Sequence, residues 1–284
     1  PSLKFGLNFP SLLLFADSLF SYSLTDYTTW PRIVPAFCSG TRQSPINIKT
    51  SEATENPRLK PFTFYGFNRK DVLTKLENTG RTITIASGVG VSGGGLGERY
   101  DSLQFHLHWG NGTRVPGSEH TLNGKQFPME LHIVNIKSSL NGDTDAAVRD
   151  PAGLAALGFF IEVRKSSEVK AVSVHSQLVY LSSGQSVDIK QPISLNSLLG
   201  GVSLTDYFRY NGSLTTPDCN EAVVWTVFKD PIKISADLIN LFSTTVHIGS
   251  CPSPLMVNVF RGVQRLLPVQ RSPGGSHPMC HGYK

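Results

Sequence analysis

His106 and His108 stand two positions apart in the run 102–109, where apolar and polar residues alternate over eight positions. That alternation is the period of a half-buried strand, and it sends both imidazoles to one face. His132 sits in a second β-rich run, 129–136, on a face it shares with Glu130 and Val134. If the two runs pair, three imidazoles meet at one point, and three imidazoles with one open position form the ligand set of a catalytic zinc. A metal held this way acidifies a bound water until it is a nucleophile near neutral pH. A His-x-His pair alone is a weak signal. Each run, however, also places a polar residue two positions before a histidine, Gln104 before His106 and Glu130 before His132. There it could fix the tautomer of a metal-bound ring. Without a metal or partners, three buried histidines and a carboxylate would cost several kcal/mol.

Histidines on strands need a sheet to carry them. The run 63–85 alternates, with Leu73, Leu76, Ile83 and Ile85 as apolar markers and a turn signal at 78–80, so a hairpin is expected. The glycine-rich run 88–97 lacks the Gly-Lys-Ser/Thr ending of a phosphate loop and reads as a flexible surface turn. Residues 138–151 read as polar loop with a turn opening at Asp150-Pro151, 154–163 as a continuous apolar strand, and 207–227 as extended structure. Helical signals are confined to 193–199 and 236–242, while 22–48 reads as coil broken by Pro31, Pro35 and Pro45. The balance predicts a large twisted sheet with short helices on its surface.

The chain has 284 residues and no linker, repeat or charge block, which predicts one domain over 21–270. Before it, 1–20 holds Lys4 and a short apolar core at 12–15, the pattern of a signal remnant or a disordered tail; 271–284 reads as a C-terminal tail. The net charge of +5 comes from scattered lysines and arginines, which excludes the dense basic face of a nucleic-acid binder. Four cysteines, Cys38, Cys219, Cys251 and Cys280, contain no Cys-x-x-Cys and exclude a zinc ribbon.

The runs 104–110, 118–121, 129–134 and 212–217, flanked by 42–48 and 207–210, resemble the signature of the α-class carbonic anhydrases. The resemblance extends over about 22–270 and is strongest toward the extracellular, membrane-associated carbonic anhydrase IV type. It implies a mainly β fold, an α+β roll built on a mostly antiparallel sheet of about ten strands, with a conical cavity leading to zinc. It also implies reversible hydration of CO2 to bicarbonate and a proton by a zinc lyase, with His106, His108 and His132 as metal ligands. Thr215 matches the gatekeeper threonine that orients the nucleophile and donates its own hydrogen bond to a buried carboxylate, which Glu119 matches. Thr216 lines the same site, toward bicarbonate and inhibitor anions, including sulfonamides. His120 is expected to be a structural partner within its loop.

By the same resemblance Val134, Ala156, Leu214, Val223 and Trp225 form the apolar wall that receives CO2; Ala156 replaces a larger valine and widens it. Tyr22, Thr79, Arg81 and Thr84 fall on the polar wall. Arg81 stands where fast members place a proton-relaying histidine, and a guanidinium cannot accept a proton. Proton transfer is therefore expected to be slow and carried by buffer. Cys38 and Cys219 match the disulfide of extracellular members, which implies an oxidising compartment. Ser21 occupies the usual place of another cysteine, so the short amino-terminal bridge is absent, and the pairing of Cys251 and Cys280 stays open. Anchored members end in a hydrophobic tail exchanged for a glycolipid, a signal not present in this chain. A secreted or cell-surface monomer is expected, anchored only in a longer form. Asn111-Gly112-Thr113 and Asn211-Gly212-Ser213 are glycosylation sequons, the second expected to be unused inside the active-site motif. Two other classes compete: a catalytically weak carbonic-anhydrase-like binding module, against which all three histidines argue, and a zinc esterase, which the small apolar wall suits less well.

Overall fold

A computed structural model describes residues 27–33, 35–77, 82–164, 186–189, 192–248 and 253–274. Its strands are β1 (Asn47–Ile48), β2 (Thr54–Glu55), β3 (Phe62–Tyr65), β4 (Leu73–Glu77), β5 (Thr82–Ile85), β6 (Gly90–Gly93), β7 (Tyr100–Trp109), β8 (Thr121–Leu122), β9 (Lys125–Gln126), β10 (Met129–Lys137), β11 (Leu154–Val163), β12 (Ser186–Asp188), β13 (Tyr207–Gly212), β14 (Val223–Ile234) and β15 (Gln270–Arg271). Twelve of them form one sheet, in the order β12-β4-β5-β7-β10-β11-β14-β13-β15-β2, with β6 linking β3 to β7. β1, β8 and β9 make a small second sheet. In the large sheet the β11–β14 and β15–β2 pairs run parallel and the other pairs run antiparallel, so the expected mainly β, mostly antiparallel architecture holds.

The two central strands read as near-continuous apolar runs because both of their faces are covered. β10 buries every position but its last, and β11 every position but its last two. One face of the sheet packs Leu131, Ile133, Leu157, Phe159 and Phe228, with the Phe159 and Phe228 rings stacked at 4.5 Å. The other face packs Val134, Ala156, Phe160, Tyr210 and Trp225. The candidate site lies on this second face.

Several expectations from sequence need correction. The hairpin expected in 63–85 holds for its marked strands, since β4 and β5 pair antiparallel with Leu73 opposite Ile85 and Leu76 opposite Ile83, but the start of the run, β3, does not join it and pairs with β6 instead. The turn at 78–81 lies outside the described residues. Nor is the glycine-rich run a surface turn throughout, since 90–93 forms β6 between β3 and β7. There glycine permits close approach: a Cβ on Gly90 would lie 2.5 Å from the Tyr100 carbonyl oxygen, and one on Gly94 would meet the Phe62 ring at 2.3 Å.

In place of coil, 27–38 holds a 3-10 turn (Tyr27–Thr29) and two short helices, Trp30–Ile33 and Pro35–Cys38. Pro31 and Pro35 fit because the first helical turn has no intrahelical use for their missing N–H groups. The polar stretch 138–151 contains a 3-10 turn and the helix Thr144–Ala147, capped by the Asp143 side chain on the Ala146 N–H. The helices expected near 193–199 and 236–242 are Leu195–Leu198 and Ala236–Thr245, capped by Ser194 and Ser235.

Candidate active site

β7 and β10 pair antiparallel, with His106 opposite His132, His108 opposite Glu130, and Gln104 opposite Val134. All six side chains therefore share one face, and the three histidine rings lie with centroids 4.5 to 5.2 Å apart. One nitrogen from each ring lies within 4.8 Å of the others. The alternation of β7 is broken once: the register shifts so that Asn135 pairs with Ser102, skipping Leu103. This bulge turns Ser102 to the opposite face from Gln104, where it bonds Asn135 at 2.6 Å.

Each ring has its other nitrogen engaged by an acceptor. Nδ1 of His106 donates to Gln104 Oε1 at 2.9 Å, and Nε2 of His132 donates to Glu130 Oε1 at 2.7 Å. Nδ1 of His108 donates to the Val259 carbonyl at 3.1 Å, with Glu119 Oε1 at 3.3 Å. These bonds select the tautomers in which Nε2 of His106, Nε2 of His108 and Nδ1 of His132 carry the ring lone pair. Three imidazole nitrogens within 4.8 Å of one another, beside two fully buried carboxyl groups, Glu119 and Glu130, make a donor set and charge that fit a divalent cation such as zinc.

Glu130 is held from several sides. Oε2 accepts the backbone N–H groups of Glu119 and His120, each at 2.8 Å, and Oε1 also accepts from His120 Nδ1 at 2.7 Å. Burial alone would raise its pKa, but the His120 and His132 rings and their hydrogen bonds hold it well below the usual carboxylate range. Behind it, His120 Nε2 meets the Tyr210 hydroxyl at 2.6 Å, and that hydroxyl donates to Ser44 Oγ at 2.8 Å. Burial pushes the Tyr210 phenol well above its ordinary pKa. His120 thus serves as a structural partner of Glu130. Gly158, opposite His132 on β11, leaves room for this cluster, since a Cβ there would sit 3.3 Å from Glu130 Oε1.

The family description of the eukaryotic-type carbonic anhydrases matches residues 25–269. The chain belongs to that family. It is 38% identical over 222 residues to carbonic anhydrase 4 of Mus musculus, covering 76% of this chain and 70% of that protein. It is 35% identical over 243 residues to carbonic anhydrase 12 of Homo sapiens, covering 84% and 67% respectively. With carbonic anhydrase 6 of Bos taurus the identity is 33% over 223 residues, covering 76% and 68%. Carbonic anhydrases are zinc-dependent carbonate dehydratases, and this chain is such an enzyme.

In this carbonic anhydrase a cavity of roughly 30 Å³ opens beside His106 and His132. Val134, Ala156, Leu214, Val223 and Trp225 line it, together with Thr215, Thr216 and Leu154. Sheet register brings the wall together: Val134 pairs with Ala156, Ala156 with Trp225, and Leu154 with Val223. The loop bearing Thr215 and Thr216 is pinned at several points. The Ser213 carbonyl accepts from Trp225 Nε1 at 2.9 Å, and the Ser213 N–H donates to Ser44 Oγ at 3.0 Å. The Cys219 N–H closes the loop on the Thr216 carbonyl at 2.9 Å, and Cys219 is bridged to Cys38.

Of the expected polar wall, Tyr22, Thr79 and Arg81 lie outside the described residues, as do Cys251 and Cys280. Thr84 stands on β5 in register with Gln104. Sequence reasoning missed Leu154, the Val259 carbonyl and Arg261. The Arg261 N–H donates to Glu119 Oε1 at 2.8 Å, while its guanidinium binds Gln43 Oε1 and the Ser44 carbonyl. No local motif marks Val259 or Arg261, because both act through the main chain. Their signal is tertiary: Trp109 donates Nε1–H to the Met256 carbonyl, and its own carbonyl accepts the Val259 N–H, which docks 256–259 along the end of β7.

Proposed function

We propose that His106 and His108 through Nε2, and His132 through Nδ1, hold a zinc ion, and that the chain hydrates CO2 to bicarbonate there. The observation that supports this most is the convergence of three ring nitrogens within 4.8 Å, each on a ring whose other nitrogen is tied to an acceptor. When bound, the ion acidifies a water at its open position and so supplies a nucleophile at neutral pH. Glu130 and Gln104 keep His132 and His106 in the ligating tautomer, and Glu130 does so as a carboxylate. By the role its motif carries in the family, Thr215 would donate its hydroxyl proton to the buried Glu119 carboxylate, leaving its oxygen to accept a hydrogen bond from the nucleophile and orient it. Glu119 is fixed for this by the Arg261 N–H.

CO2 is apolar and small, and the wall of Val134, Leu214, Val223 and Trp225 offers it a dry surface next to the ion. Ala156 leaves that wall wider than a valine would. Thr216 contacts the anionic product and competing anions, including sulfonamides. The family resemblance alone assigns Tyr22, Thr79, Arg81 and Thr84 to the polar wall, and with arginine at 81 the released proton would leave on buffer. The buried Cys38–Cys219 bridge supports work in an oxidising compartment, at the cell surface or beyond it. Among the described residues no helix is long and apolar enough to cross a membrane.

The test is stopped-flow CO2 hydration by zinc-loaded protein, with ester hydrolysis measured in parallel. The expected result is CO2 hydration abolished by a sulfonamide and far exceeding ester turnover. Zinc-loaded protein that hydrolyses esters but leaves CO2 untouched would overturn the assignment.

A further inference from the structure

We propose that Asn111 is an acceptor for an N-linked glycan. Asn111-Gly112-Thr113 meets the Asn-x-Ser/Thr requirement and forms a turn directly after β7. The turn is closed by the Asn111 N–H on the Val115 carbonyl at 3.0 Å and the Val115 N–H on the Asn111 carbonyl at 3.4 Å. Gly112 supplies a left-handed φ of 59° and is buried against the helix Ala236–Thr245: a Cβ on it would lie 2.4 Å from Asn240 Oδ1. The same Asn240 oxygen accepts the Thr113 N–H at 2.9 Å.

The middle of the turn is therefore fastened to the body of the protein while Asn111 and residues 113–116 are exposed. A glycan on Asn111 projects into solvent without displacing any packed side chain. It also stands beside Val115, one of the exposed large apolar residues, which it would shield. None of the cavity-lining residues belongs to this turn.

The compartment follows from a separate observation. A disulfide between Cys38 and Cys219 is formed in the oxidising secretory route, where glycan transfer takes place. The second sequon is placed differently: Asn211 and Gly212 lie within β13, and Ser213 is completely buried. Asn111 is thus the sequon in a surface loop. The donor is an oligosaccharide carried on a polyisoprenoid diphosphate. The Asn111 amide nitrogen bonds to its anomeric carbon and gives up one proton, the bond from that carbon to the diphosphate oxygen breaks, and the lipid diphosphate leaves with the electron pair.

The experiment is secretion of the full chain from eukaryotic cells behind a supplied leader, followed by peptide mass spectrometry before and after enzymatic glycan release. The expected result is a glycosylated Asn111 peptide whose asparagine becomes aspartate on release. Asn111→Gln and Thr113→Ala each abolish that modification, Thr113→Ser retains it, and CO2 hydration by Asn111→Gln is unchanged. Secreted protein with the Cys38–Cys219 bridge intact and Asn111 unmodified would overturn the proposal.

Discussion

Glu130 has no exposed surface, yet it accepts from two backbone N–H groups and two imidazoles. Its charge keeps His132 oriented and basic, so Glu130→Gln preserves shape but weakens the ligand. Zinc affinity is expected to fall about 10- to 100-fold, read by competition with a chelator of known strength. Unchanged affinity would show that orientation does not depend on the carboxylate. A second prediction concerns Arg81. Because a guanidinium cannot relay protons, Arg81→His should raise turnover in dilute buffer by at least about tenfold. The gain should shrink as an imidazole buffer is added, and turnover indifferent to both changes would contradict buffer-limited proton exit. At this scale much of the site was legible. His106, His108, His132, Gln104 and Glu130 announce themselves because strand periodicity converts spacing into direction. Val259 and Arg261 were hidden because what they offer, a carbonyl and an N–H, belongs to every residue and carries no sequence signal.

The strands β7, β10, β11 and β14 form a rigid wall in which register alone decides what meets the cavity. Val134 sits between Gln104 on β7 and Ala156 on β11. Replacing it with phenylalanine should fill a cavity of roughly 30 Å³ while leaving all three histidines in the chain. Val134→Phe is expected to keep its zinc and lose at least about tenfold in kcat/KM for CO2, about 1.4 kcal/mol of transition-state binding. Full activity in that variant would mean that CO2 binds elsewhere. Legibility was uneven among the elements. The strand at 154–163 and the capped helices near 195 and 236 follow from apolar runs and Ser caps. β6 did not, because its glycines, Gly90 and Gly93, are selected by the closeness of the Tyr100 and Pro61 carbonyl oxygens, neighbours that only the folded sheet supplies. The β7 bulge likewise leaves the alternating pattern intact in the text while reversing Ser102 in space.

On the scale of the whole molecule, the sheet buries aromatic and ionisable groups on both faces, and the Cys38–Cys219 bridge closes a loop with a sequence separation of 181. In the chain-entropy model such a bridge removes about 5 kcal/mol of unfolded-state freedom at most. Burial pushes the Tyr100 phenol up to about 12, and burial likewise raises Tyr207 and Tyr210. A phenol whose folded pKa lies above its unfolded value of about 10 contributes stability fully present below that pH. That stability is lost as pH rises through 10 toward 12. The phenolate absorbance of the eight tyrosines should therefore titrate with a delayed fraction that appears together with unfolding. Complete ionisation in a single step near pH 10, in protein that is still folded, would contradict this picture.

The account as a whole turns on the three imidazoles sharing one ion, and metal content per chain tests that most directly. Dialysed protein should retain one equivalent of zinc, His108→Ala should retain far less while keeping the same circular-dichroism spectrum, and CO2 hydration should follow the zinc. Zinc retained undiminished by a folded His108→Ala protein would place the ion elsewhere and contradict the account.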